Sequence, residues 1–271
     1  MAIDAARKKE YNDLIRDQKA KIDELEKDIK IMKRRILEDK KLKPYLHIGC
    51  AAKYLEQAHL YMDMNETSER MLEIKNNGFL DSARKNVYKI ITELAEVVTL
   101  EVDEPLDFNR DQLDSIKLFN PKQRMNLYKH NKKMIERLIK AYGENTKWKW
   151  SFPEMNGKMT VLAKNFLDFR EIQAIRDPRE EFYYDRREFL DMVKEDLFDA
   201  SNQYRNKFEL STKSNNDLLY AVYLLESLRR IASLIGDSEL VKKAKSGIES
   251  YRSRMEADEK EKQKGKPVKK K

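Results

Sequence analysis

Cysteine is nearly absent. Cys50 stands alone in 271 residues, which excludes an intrachain disulfide and any zinc site built on a cysteine cluster. Turn-formers are scarce too: 7 glycines and 6 prolines are too few for a sheet-rich fold with many tight turns. No apolar run approaches the roughly 18 residues a membrane span needs. The first residues, MAIDAARKKEYND, lack the apolar core of a secretory signal, so a cytoplasmic location is the expectation.

Catalytic signatures are missing as well. The chain has no GxxxxGK[ST], GxGxxG or GxSxG, and its glycines stand singly, so no local run can cradle a phosphate. Glu56 and His59 form a single ExxH, whereas a carboxylate-bridged di-iron bundle needs two. Carboxylate pairs such as Glu93/Glu96 and Glu69/Glu73 are what a dense acidic composition produces on solvated helix faces. No enzyme, metal or cofactor is expected.

What is present is charge, at 38% of the residues, in a composition that favours helix. The formal net charge of +8 belongs to the ends: residues 1–43 and 257–271 each carry a surplus of four bases. The body between them holds 35 basic and 35 acidic residues. Within it, residues 93–114 are acidic and 117–149 basic, either pairing inside the fold or forming separate patches for partners.

Apolar periodicity predicts an all-α fold of about eight helices in stacked antiparallel hairpins, elongated because the apolar fraction is only 40%. A heptad runs through residues 1–43, with Ile15, Ile22, Ile29 and Ile36 at a and Tyr11, Gln18, Leu25 and Met32 at d. This coiled-coil-type helix serves self-association, packing on its own chain, or another partner. Pro44 ends it. Residues 44–142 form a first half, with helices at 45–62, 66–76, 80–99 and 121–142 and an acidic loop at 100–110. Asn76-Asn77-Gly78 reads as a helix stop, and Asn120-Pro121 as a cap and first turn.

Residues 143–158 are a junction loop, and 159–257 a second half with helices at 159–175, 178–208, 216–235 and 238–257. The Lys-rich tail, 258–271, has nothing to bury and is expected to be disordered. In KWKWSF, an extended backbone would place Trp148, Trp150 and Phe152 on one side. Those rings would then cap the core, dock a protein, or stack nucleobases.

Residues 66–94 resemble a tetratricopeptide hairpin. Gly78 takes the place of that family's turn glycine, Ala83 that of its small residue and Val87 that of a bulky apolar one, while Met71 and Ile90 replace small residues. The resemblance implies helical-hairpin stacking and peptide binding. The functional expectation is a non-enzymatic structural or adaptor protein working through helix-mediated contacts or self-association. A nucleic-acid-associated protein using the basic ends is the alternative.

Overall fold

The computed structural model describes residues 5–264, with side chains to residue 260. Ten α-helices account for most of them, and no strand occurs among the described residues. In order they are α1 (Ala5–Glu38), α2 (Lys43–Leu72), α3 (Asn77–Ala95), α4 (Arg110–Ser115), α5 (Pro121–Tyr142), α6 (Phe152–Asn165), α7 (Phe169–Ala174), α8 (Tyr183–Lys207), α9 (Asn215–Ile235) and α10 (Ser238–Lys264).

The helices form an elongated row in chain order. α1 lies antiparallel on α2 and α2 on α3; α5 and α6 occupy the middle; α8, α9 and α10 complete the row. One apolar cluster runs through it from Ile29 to Tyr251, so residues on both sides of the proposed junction share a core. α9 carries the fully apolar stretch LLYAVYLL, and Leu218, Ala221, Leu224, Leu228 and Ile231 are completely buried.

Several expected boundaries held. Asn120 and Gln123 form a reciprocal capping box before Pro121, and Gly143 and Gly236 end their helices with φ of 76° and 78°. Others moved, each for a local reason. α2 continues through Asn65, where a break was expected. That residue is buried, donates to Glu69 Oε1 and accepts from the Asn76 amide at 2.8 Å. Asn76 therefore opens α3 instead of closing a helix: its carboxamide oxygen accepts from the amides of Gly78 and Phe79. The left-handed residue that ends α2 is Glu73 (φ 57°), and Gly78 sits in the first turn of α3. The tetratricopeptide-like stretch is thus an antiparallel hairpin whose first helix is 30 residues long.

The expected helix 159–175 is two helices. Asp168 caps α7 by accepting from the amides of Arg170 and Glu171, while α6 starts early at Phe152 with Pro153 in its first turn. That shortens the expected loop 143–158, whose second half is helical. α8 begins at Tyr183, later than Pro178, after Phe182 adopts φ 58°. The expectation of a disordered tail from residue 258 fails for 258–264, which continue α10. Asp258 is buried, and Glu259 accepts from Asn215 Nδ2 at 3.2 Å. Residues 265–271 lie outside the described residues.

Candidate functional site

The heptad seam of α1 faces α2. Ile15, Ile22, Leu25 and Ile29 are each at most 6% exposed, with Tyr11, Gln18, Met32 and Ile36 half-buried beside them. Gln57 donates to the Ile22 carbonyl, and Lys21–Glu56 and Lys53–Asp28 ion pairs bind the two helices along their length. Farther along, the Lys33 ammonium lies 2.6 Å from Glu93 Oε1, on α3, and Glu93 Oε2 lies 2.9 Å from His47 Nδ1. Lys33 thereby reaches past α2 to a buried carboxylate, which holds its pKa above the ordinary value. An a/d pattern records a helix that needs one apolar neighbour; it does not record whether that neighbour is in cis or in trans. Here the seam is filled in cis.

The aromatic segment is not extended. Trp148 precedes a single 3₁₀ turn, Lys149–Ser151, that leads directly into α6. The one-sided alignment of three rings is lost, because a 3₁₀ turn rotates successive side chains about the axis. Phe152 goes into the core, its ring centroid 5.8 Å from that of Tyr142. Trp148 packs on the edge of the core beneath the Arg84 guanidinium, 3.6 Å from its ring centroid. Trp150 is half-buried, outside the core cluster, with the Lys149 ammonium 5.5 Å from its ring.

Beside Trp148 is an open hollow of about 530 Å³ lined by Lys75, Asp81, Tyr142, Asn145 and Lys147, among others. Its floor is fixed: Lys75 Nζ donates to the Tyr142 carbonyl at 2.9 Å, and Arg84 donates to Asp81 Oδ1. Burial pushes the Tyr142 hydroxyl up to about 12, so it stays a neutral donor. Neither Lys147 nor Lys149 has a carboxylate within ion-pair distance among the described residues.

A family model described as the TP0443 family matches residues 7–259. The chain belongs to the TP0443 family. The matched stretch includes both segments just described. No curated protein matches this family member. A solved chain described as "Computational Design of Self-Assembling Cyclic Protein Homooligomers" aligns over 92% of this chain and 97% of its own, at 13% identity and a TM-score of 0.31, too low to carry an argument.

Two polar convergences in this TP0443-family chain were invisible in the sequence. In a cleft of about 300 Å³ between α5, α6 and α8, Tyr128 Oη donates to Asp196 Oδ2 at 2.5 Å and Lys132 donates to Asp196 Oδ1 at 2.7 Å. These groups satisfy one another across 64 or more residues, a spacing no local motif reveals. The second is Lys164, 1% exposed, which donates to the Val102 carbonyl. Cys50 is buried beside Glu93, and burial pushes its thiol up to about 11, far from the low value a nucleophilic cysteine needs. The ExxH residues diverge: Glu56 pairs with Lys21, while His59 faces Arg137, and its pKa is lowered by burial and by that guanidinium. Among the described residues no group of three or more His, Cys, Asp or Glu side chains is arranged to hold a metal.

The oppositely charged segments do pair inside the fold, but mostly not with each other. Glu93, Glu96 and Asp103 of the acidic stretch pair with Lys33, Lys43 and Arg230. Lys129, Lys132 and Arg137 of the basic stretch pair with Glu188, Asp196 and Asp63. Among the described residues the direct ion pair between the two is the weak Lys117–Asp114 contact at 3.9 Å.

Proposed function

We propose that this chain is a non-enzymatic adaptor or scaffold subunit that holds a protein partner at the junction of α3, α5 and α6. One observation carries this reading. Trp150 is only partly buried and lies outside the core cluster, with the Lys149 ammonium over its ring, and neither Lys149 nor Lys147 has a carboxylate within ion-pair distance among the described residues. Tryptophan is enriched among the residues that dominate binding energy, and a partly exposed tryptophan beside an unpaired lysine fits a partner segment with an apolar anchor and an acidic flank.

The α1 seam, already covered by α2, supports this reading in a different way: it leaves the row a rigid platform. Self-association through that seam would require the α1–α2 hairpin to open.

A photo-crosslinking amino acid placed at position 150 in the source cell tests the proposal, with the same group at exposed Lys242 on α10 as control. A protein adduct specific to position 150 is expected. Adducts of the same kind from both positions, or none from position 150, would contradict it.

A further inference from the structure

The two most exposed large apolar side chains described are Leu37, at 86%, and Leu118, at 84%. Both lie on turns beside the start of α2. Leu37 is in the last turn of α1, and Leu42, 38% exposed, closes the short link to α2. In that link Asp39 Oδ1 accepts from the amides of Lys41 and Leu42, at 2.9 and 3.1 Å. Leu118 belongs to the turn between α4 and α5, and its amide donates to Tyr45 Oη at 3.2 Å, which places this turn against the start of α2. The buried Arg124 guanidinium donates to the carbonyls of Ile116 and Phe119, bracing the Leu118 turn from beneath. Both leucines are thus held outward by fixed backbone.

Bases surround them. Residues 34–43 hold five, Arg34, Arg35, Lys40, Lys41 and Lys43, against Glu38 and Asp39, while Lys33 is tied to the buried Glu93. Lys117 and Lys122 flank the second turn. Lys40, Lys41 and Lys122 have no carboxylate within ion-pair distance among the described residues, and the Asp39 carboxylate is engaged by its own turn. Lys43 and Lys117 reach Glu96 and Asp114 only at 3.7 and 3.9 Å.

We propose that the surface around the start of α2 docks on an anionic lipid surface, with Leu37, Leu42 and Leu118 entering the interface and the lysines meeting acidic headgroups. Charge complementarity selects the occupant. Lysines near a negative bilayer are attracted to it, while isolated leucines on turn tips reach the acyl boundary without needing a matching groove. A protein partner of ordinary size would instead cover a continuous patch of roughly 800 Å². No helix among the described residues is long and apolar enough to cross a membrane, so the contact is peripheral. The surface is independent of the Trp150 site.

The test is co-sedimentation of the full chain with phosphatidylcholine vesicles, with and without phosphatidylserine. The variants are Leu37→Ser/Leu118→Ser and Lys40→Glu/Lys41→Glu, with Trp150→Ala as a control for the protein-docking reading. Binding is expected only to the anionic vesicles. It should weaken by at least about tenfold in the leucine variant, since burying each leucine is worth a kcal/mol or more. The lysine variant and added salt should weaken it too, while Trp150→Ala binds normally and every variant keeps the wild-type melting temperature. Absence of binding to anionic vesicles would overturn the proposal. Equal binding by wild type and the leucine variant would also overturn it, and would assign the contact to the basic ends of the chain.

Discussion

Lys164 Nζ lies 3.1 Å from the carbonyl oxygen of Val102, and no carboxylate among the described residues lies within ion-pair distance of it. Ser227 Oγ donates to the same oxygen at 2.7 Å, Asn165 donates to the Thr99 carbonyl, and Arg230 pairs with Asp103. Together these residues of α6 and α9 fasten the acidic loop across the middle of the row. A buried ammonium with only a neutral acceptor is costly. Burial, followed by repulsion from Arg230, lowers its pKa from 10.5 to about 8.

The sign of the pH effect follows. The folded state releases this proton near pH 8 and the unfolded chain near 10.5, so stability rises with pH in that window. Cys50, raised to about 11, works the other way above pH 9, which leaves pH 8–9 as the clean interval. Denaturant melts there should gain roughly 1 kcal/mol of stability in the wild type compared with Lys164→Met. The variant itself should fold, since Ser227 still satisfies Val102. Parallel pH profiles for the two chains would show that the lysine carries no such burden.

Ile22 and Ile29 test where the α1 seam is used. Both are buried against α2 or its surroundings, so lysine at both positions should lower stability by several kcal/mol and expose α1 to proteolysis. Light scattering should give the same mass for the wild type and the variant at concentrations where both are folded. A drop in mass with an unchanged melting temperature would mean the seam works between chains.

At Gly157, a Cβ would lie 2.7 Å from Tyr204 Cε2. This glycine lets α6 approach α8, and the Tyr204 ring is itself packed at a tilt against Tyr220, with centroids 4.6 Å apart. Gly157→Ala should cost about 1–3 kcal/mol in chemical denaturation, because overpacking outweighs alanine's better helix propensity. A gain in stability would show that the ring can move aside.

Much of this architecture is legible in the order of residues. Apolar periodicity located the principal helices, and Asn120-Pro121, Gly143 and Gly236 marked ends that local backbone chemistry alone decides. Errors arose where a residue's role depends on distant partners. Asn65 continues a helix because Asn76 needs its oxygen, and α10 runs on through residue 259 where the Glu259 carboxylate accepts from Asn215 at the start of α9. The candidate site was half legible. Trp148, Trp150 and Phe152 drew notice in the sequence, but the separation of Phe152 into the core, Trp148 onto its edge and Trp150 outside it came from a 3₁₀ turn that an alternating pattern disguised as a strand. Lys164 and the Tyr128–Asp196 contact gave no local signal, since their partners are 60 or more residues away.

Trp150 decides the central claim. The measurement is paired: affinity for the partner captured at position 150, and melting temperature, each for wild type and Trp150→Ala. A docking residue outside the core should lose more than about 2 kcal/mol of binding while the melting temperature barely moves. Unchanged affinity, or a fall in stability of about 3–5 kcal/mol as for a buried aromatic truncation, would contradict the account.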